Sequence, residues 1–318
     1  MDLEELFASV GCAGSVCALE IHGPGRLAFH ADERVVPASV IKVPLALTAL
    51  EAFDDGSLDP QARIQVEAAG RTPGPTGMSL YEDDVELSAR DLVNAALTIS
   101  DNAAADALLD LISVERVNAF TRHLGLAGTR LAGTLRETID SIGRDAGFND
   151  YPGLLRFWAD APDPAEASRV RKRIAACAPL DPQRGSHTTA DDMAQLMKAV
   201  WRDHASTPAV CSRVRQLMGQ QLTRHRIASG FDPEVEVAAK SGGLMGVVRN
   251  EIGVVTFPDG GTFAVAVFTR SVRGHDEREI NSAIGRAAAV AIDGSRGGDA
   301  ARRNSRGDGQ SASECMPS

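Results

Sequence analysis

The sequence predicts an α+β fold, an α/β sandwich in which an antiparallel sheet of about five strands is built from both ends of the chain. Helices flank this sheet, and an all-α lobe is inserted into it. Two observations predict this arrangement. Apolar runs around Gly/Pro turns occur at residues 15–32 and again at residues 234–270. Between them, apolar residues recur at spacings of three and four, which is typical of amphipathic helices.

The individual elements follow in chain order. The first two strands are "SVCALEI" and "RLAFHAD", separated by the turn "HGPG". The helical pattern then includes "ARDLVNAALTI", "NAAADALLDLI", "VERVNAFTRHLG" and "ADDMAQLMKAVWRD". The last strands are "EVEVAAKSG", "VRNEIGVVTF" and "TFAVAVFTR", followed by the amphipathic helix "DEREINSAIGRAAAVAI". We expect a sheet domain at 1–38 plus 225–294, a helical lobe at 39–224, and a disordered Gly/Ser/Arg-rich tail at 295–318.

Composition and charge exclude several classes of function. The chain has 318 residues, a net charge of −10 and a pI of about 5.2, which argue against nucleic-acid binding. No apolar run reaches the roughly 18 to 20 residues that a membrane span needs. The N-terminus begins "MDLEEL", which lacks the positive start of a secretory signal. We therefore expect a cytoplasmic monomer that acts on a small molecule, without nucleic-acid or membrane partners.

Cysteine and histidine usage argues against a metal site. The five cysteines are odd in number and match no zinc spacing, so we expect reduced thiols. The seven histidines form no HExxH pair, and the chain has no Walker-type loop. The sequence therefore predicts neither a metal nor a cofactor.

A scarce lysine lies in an apolar helical run, "VVPASVIKVPLALTALEAF". Residues three apart share a helix face, so Ser39 and Lys42 are expected to be neighbours. A lysine kept neutral by burial acts as a base for a serine, whereas arginine cannot lose its proton. The alternative is that the motif occurs by chance and that the ammonium of Lys42 extends to water. Of the 33 Lys+Arg residues, only four are lysines: Lys42, Lys172, Lys198 and Lys240.

Two further short motifs carry polar groups. Ser100-Asp101-Asn102 adds a second hydroxyl and an amide, although Asp101 or Asn102 could instead simply cap the following helix. Lys240-Ser241-Gly242 ends a strand, where the alternative is an ordinary surface strand end. The order SxxK, SDN, KSG involves two of the four lysines.

This combination resembles the class A β-lactamases and their relatives, the penicillin-binding D-Ala-D-Ala peptidases, whose motifs are SxxK, SDN and KTG or KSG. The resemblance covers roughly residues 10–294 and includes "TRHRIASGFDPEVEVAAKSGG". It implies that Ser39 is the nucleophile that becomes acylated and that Lys42 is its base. It also implies that Ser100 passes a proton to the leaving nitrogen while Lys240 keeps that region positive.

The resemblance further implies how a substrate is held. Asn102 would hydrogen-bond the side-chain amide of the substrate, and Ser241 would bind its carboxylate. Arg249 matches the position of an arginine that helps bind this carboxylate in many class A enzymes. The oxyanion hole would use the backbone N–H groups of Ser39 and Gly243.

The chain departs from the family after "TRL", where class A enzymes carry Glu-x-x-Leu-Asn on an Ω-loop. Leu135 stands where that water-activating glutamate is expected, and the region at about 132–187 is enlarged. Glu137 is the best remaining candidate for the base, Asp140 is a weaker one, and a solvated helix charge is the alternative for Glu137.

Three functions remain open at this point. The first is β-lactam hydrolysis through a Ser39 acyl-enzyme. The second is a cytoplasmic peptidase, esterase or acyltransferase that uses the same groups on another substrate. The third is a β-lactam-binding sensor that is acylated once and does not turn over, which the missing Glu-x-x-Leu-Asn favours.

Overall fold

The computed structural model describes residues 2–272 and 276–307. In chain order its strands are β1 (Cys12–Glu20), β2 (Arg26–Phe29), β3 (Arg63–Val66), β4 (Val85–Ser88), β5 (Glu236–Leu244), β6 (Val248–Thr256) and β7 (Thr262–Ser271). Five of them form an antiparallel sheet in the order β2-β1-β7-β6-β5. The predicted sheet built from both ends of the chain is therefore confirmed.

The central strand β7 explains why the C-terminal strands read as continuous apolar runs. Side chains alternate between the two faces of a strand. Val265 and Val267 pack against the layer that contains the last helix, whereas Ala264 and Ala266 pack against the helical lobe. Since both faces are covered, almost every position of β7 is buried.

The helices lie on both sides of this sheet. In chain order they are α1 (Leu3–Ser9), α2 (Lys42–Asp54), α3 (Ala89–Thr98), α4 (Asn102–Ile112), α5 (Val114–His123), α6 (Leu135–Asp145), α7 (Tyr151–Ala159), α8 (Pro164–Ala175), α9 (Ala190–Trp201), α10 (Pro208–Gly219) and α11 (Glu277–Gly307). Helices α1 and α11 cover one face, and α9 covers the other. Helix α2 is the central helix of the lobe, since ten of its 13 residues are buried.

Two features of the lobe refine the sequence interpretation. The strands β3 and β4 pair as a separate two-stranded sheet, which four-residue segments are too short to signal by periodicity. The enlarged region at 132–187 holds the three helices α6, α7 and α8 and a 3₁₀ turn, Ala178–Leu180. This insertion has an apolar cluster of its own, which includes Ile142, Leu154, Val170, Ile174 and Leu180. The division into two domains stays a prediction.

The C-terminal tail overlaps the last helix. The backbone of α11 continues to Gly307, past the start of the tail expected at 295–318. The disorder of that tail stays a prediction. The rest of the predicted tail, 308–318, lies outside the described residues.

The cysteines of the described residues lie in the interior of the protein. Cys12, Cys17, Cys177 and Cys211 are buried and free, as expected, and Cys315 lies outside the described residues. Burial raises the pKa of Cys17 to about 12, so this thiol is unreactive. Within residues 2–272 and 276–307, no helix is long and apolar enough to cross a bilayer.

Candidate active site

A cavity of about 240 Å³ lies between the nucleophile turn, the end of β5 and the insertion. Four of the predicted site residues line it: Ser39, Asn102, Glu137 and Gly243. Most of the remaining lining is apolar and comes from residues such as Leu131, Leu135, Ile139, Pro179 and Leu244. The structure therefore brings the first two motifs, the glycine that follows the third, and the insertion to one cavity.

Ser39 lies in a 3₁₀ turn, Ala38–Ile41, directly before α2. The backbone of Ala38 has a φ of 48°, a conformation that residues other than glycine rarely adopt. Asn250 holds the turn from below, because its Nδ2 donates to the backbone oxygens of Val36 at 2.8 Å and Pro37 at 3.1 Å. The turn therefore presents Ser39, which is half-buried, in a fixed position.

The end of β5 presses directly against this turn at Gly242. A Cβ at this position would lie 2.8 Å from the backbone oxygen of Pro37 and 3.1 Å from the backbone nitrogen of Ser39. Both neighbours are backbone atoms, which cannot rotate away. The glycine of the KSG motif is therefore required by the close approach of two chain segments.

Lys42 is fully buried and joins the first two motifs. Its Nζ donates to the backbone oxygen of Ser100 at 2.5 Å and to Oδ1 of Asn102 at 2.7 Å, with Oγ of Ser100 at 3.4 Å. The hydroxyl of Ser39 is not among these partners. Burial lowers the pKa of Lys42 to about 7, and the negative charges of Asp101 and Asp106 oppose this shift.

The SDN motif contains the predicted helix cap, and its roles toward a substrate stay a prediction. Asp101 is the N-cap of α4, since its side chain accepts from the backbone nitrogens of Ala103 at 2.9 Å and Ala104 at 3.1 Å. Ser100 directly precedes this cap and has a φ of 61°. Its backbone oxygen accepts a hydrogen bond from Nζ of Lys42. Strain of this kind collects at functional sites.

The third motif places a second buried lysine beside the first. Nζ of Lys240 donates to the backbone oxygen of Ser241 at 2.9 Å. Burial holds the pKa of Lys240 well below its ordinary value, the charge of Lys42 lowers it further, and Glu251 opposes both. The backbone N–H of Ser241 donates to Oε1 of Gln221 at 2.5 Å, which fixes the strand end.

Two arginines compete for the role of carboxylate anchor. Arg249 pairs with Gly243 across β5 and β6 and forms an ion pair with Glu277 at the start of α11. Neither Arg249 nor Arg226 is among the described residues that line the cavity. Arg226, which the sequence analysis does not single out, is buried beside the KSG strand. Its Nη1 donates to the backbone oxygens of Gly242 and Asn250, each at 2.7 Å. No sequence signal separates Arg226 from the chain's many other arginines, because its burial is a tertiary property.

The two candidate water-activating carboxylates have structural partners. Glu137 forms a capping box at the start of α6: its Oε2 accepts from the backbone nitrogen of Thr134 at 2.9 Å, and Oγ1 of Thr134 accepts from the backbone nitrogen of Glu137 at 3.1 Å. Asp140 pairs with Arg136 at 2.7 Å. Of these two carboxylates, only Glu137 lines the cavity.

Asp106, on α4, ties the insertion to the helical lobe and was not predicted from the sequence. Its carboxylate accepts from the backbone nitrogens of Leu135 at 2.7 Å and Arg136 at 2.8 Å, and from Thr72 at 2.6 Å. These contacts satisfy the first N–H groups of α6. They therefore fix Leu135 at the cavity wall. Within the described part of the chain, no group of His, Cys, Asp and Glu is arranged to hold a metal ion.

Comparisons with known proteins agree with this geometry. The model of the β-lactamase enzyme family matches residues 1–293. The β-lactamase regulatory protein BlaB of Streptomyces cacaoi is 29% identical over 283 residues, which cover 85% of this chain and 88% of BlaB. The solved β-lactamase of Sphaerobacter thermophilus has a TM-score of 0.71 and 23% identity over 92% of this chain and 96% of its own. PBP-A has a TM-score of 0.69 and 17% identity over 92% and 95%. These two structural matches establish the fold.

Proposed function

Because this chain belongs to the β-lactamase enzyme family, we propose that it opens β-lactam rings through an acyl-enzyme on Ser39 and releases the acyl group slowly. The observation that carries the proposal is the burial of Lys42, which lies three residues after Ser39. Its Nζ donates hydrogen bonds to Ser100 and Asn102. A serine hydroxyl needs a base before it attacks. A lysine whose pKa is about 7 is partly neutral at physiological pH and can act as that base.

The proposed acylation moves one proton from the serine to the ring nitrogen. Neutral Lys42 takes the proton of Ser39, and the serine oxygen attacks the lactam carbonyl carbon. The N–H groups of Ser39 and Gly243 stabilise the oxyanion. The C–N bond then breaks, which leaves an ester on Ser39. Ser100 gives its proton to the nitrogen and regains one from Lys42, whose Nζ is 3.4 Å from its hydroxyl.

The carboxylate of the β-lactam is assigned to the end of β5. Ser241 offers a hydroxyl there, and Lys240 and Arg226 add positive charge. The contacts of Arg226 with the backbone of this strand favour it over Arg249, whose guanidinium is paired with Glu277. This proposal replaces Arg249 by Arg226 as the residue that binds the carboxylate, and a guanidinium still binds it.

The wall opposite Ser39 supports slow release of the acyl group. Leu135 and Ile139 line it, and apolar side chains do not activate water. The carboxylate of Glu137 accepts a hydrogen bond from the cap of its own helix, and its side chain is exposed. Slow release also suits the name of the relative BlaB, which is called a regulatory protein.

Prompt hydrolysis is the second candidate, and a single observation favours it: Glu137 lines the cavity. In that case its carboxylate activates the deacylating water, and the chain is a working β-lactamase.

Intact-protein mass spectrometry with penicillin G tests the proposal. We expect an adduct on the wild-type chain that persists after excess penicillin is removed. Ser39→Ala should give no adduct, whereas the control Ser141→Ala, another serine of the cavity wall, should label normally. A transient adduct with accumulating product would favour prompt hydrolysis. Labelling of Ser39→Ala, or no labelling of the wild type, would overturn the assigned nucleophile or substrate.

A further inference from the structure

The lining of the cavity contains few charged side chains. Among the described residues that line it, only Glu137 and Arg184 are charged. The others are apolar or carry neutral hydroxyl, amide or backbone groups. The charge on the side chain of any acyl group held here is therefore matched by these two residues or by water alone.

The two charged groups differ in what they already bind. The carboxylate of Glu137 accepts from the backbone nitrogen of Thr134. The guanidinium of Arg184 has no ion pair and no hydrogen bond to any residue in the described part of the chain. The hydrogen bonds nearby are made by the backbone of Arg184 and by the side chain of Ser186. Arg184 therefore offers five N–H donors without a protein partner.

The backbone around Arg184 is nevertheless held in place. The backbone nitrogen of Arg184 donates to the oxygen of Asp181 at 3.0 Å. Two residues on, Oγ of Ser186 accepts from the backbone nitrogen of Ala132 at 2.9 Å. The next residue, His187, pairs with Arg130 in an antiparallel bridge. A cation on an anchored segment loses less entropy on binding than one on a free loop.

We infer that Arg184 forms a subsite for an anionic group carried by the acyl side chain of the substrate. The inference rests on the proposed acylation of Ser39 and names a class of substrate for it. Leu131, Ile139 and Pro179 would contact the apolar part of the side chain, and Arg184 would hold its carboxylate in the forked geometry that a guanidinium favours.

Three penicillins with one side-chain skeleton test this subsite. Relative to penicillin G, carbenicillin adds a carboxylate and ampicillin adds an ammonium at the same carbon. The second-order acylation rate of each would be measured by intact-protein mass spectrometry. In Arg184→Gln we expect the ratio of the carbenicillin rate to the penicillin G rate to fall by about two- to five-fold, the size of an exposed ion pair. The rate with penicillin G normalises any general effect of the substitution, and added salt should shrink the wild-type ratio.

The control is Arg90→Gln, which removes another exposed arginine. Its side chain has no hydrogen bond or ion pair with the described residues, and it is not among those that line the cavity. It should leave all ratios as in the wild type. Acylation with an unchanged carbenicillin ratio in Arg184→Gln would overturn this inference alone. A wild-type preference for ampicillin would also overturn it, because Glu137 would then dominate the cavity. No acylation by any of the three would overturn the proposed function and this inference together.

Discussion

The two walls of the cavity are built on different principles. The acylating wall presents Ser39 to the cavity and is backed by Lys42, Ser100 and Lys240, which do not line it. Lys42 donates to Ser100, Lys240 donates to the backbone oxygen of Ser241, and both lysines are fully buried. The insertion wall, which consists of Leu135, Glu137, Ile139 and Pro179, is mostly apolar and lies on an amphipathic helix and a 3₁₀ turn.

The difference follows from the cost of buried charge. A buried lysine is tolerated only with partners, so the acylating wall fixes many side chains at once. The insertion wall buries no charge, and its one carboxylate is exposed and capped. The groups proposed for acylation can therefore all be present in a protein that lacks a group for deacylation. Each prediction below perturbs one wall and asks whether the other responds.

The largest effect is expected from Lys42→Arg on the acylating wall. Arginine keeps the positive charge and cannot give up its proton, so general-base catalysis is lost. Labelling by penicillin G should slow by about 10²- to 10⁴-fold. Lys198→Arg is the matched control, because Nζ of Lys198 also donates to a backbone oxygen but lies outside the cavity. Near-normal labelling of a folded Lys42→Arg chain would remove Lys42 from its role as base.

The pH dependence of acylation gives the next largest effect. Burial lowers the pKa of Lys42 to about 7, so acid protonates the base and alkali frees it. The acylation rate should rise by about ten-fold between pH 6 and pH 8, as the neutral fraction of such a group does. Stopped-time labelling across this range measures it. A flat profile, or one that falls with pH, would contradict the assignment.

Gly242→Ala tests the packing that supports the acylating wall. The added methyl would meet the backbone of Pro37 and Ser39, so the turn has to shift. We expect a loss of about 1–3 kcal/mol in the free energy of unfolding, together with slower labelling. Gly219→Ala is the control, since a Cβ there meets nothing within 4 Å. Equal denaturation midpoints and labelling rates for the two variants would show that the close contact is unimportant.

The smallest effect is expected from Glu137→Gln on the insertion wall. Glutamine also completes a capping box, so the free energy of unfolding should change by less than about 0.5 kcal/mol. The lifetime of the penicillin G adduct should also stay the same, as followed by mass spectrometry. A lifetime extended by about 10²-fold or more would instead identify Glu137 as the base and make release part of this chain's chemistry.

Local patterns in the sequence predict much of this molecule. The apolar runs at both ends of the chain predict the sheet, because strand periodicity depends only on neighbouring residues. Asp101 is predicted as a cap, and the spacing of Ser39 and Lys42 predicts that they are neighbours. Asn102 and Gly243 also lie at the cavity as the motif resemblance implies.

The partner of each charged side chain is a different matter, because it depends on which distant segments meet. The packing of distant segments decides that Lys42 donates to Ser100 and Asn102, that the guanidinium of Arg226 donates to the backbone oxygen of Gly242, and that Glu137 is bound by its own helix cap. Hydrogen bonds and charge interactions act over a few ångströms in space, and no spacing along the chain encodes those distances. Local spacing thus predicted the main sheet, several helices and the three motifs, and the packing of the elements determined which atoms their side chains contact.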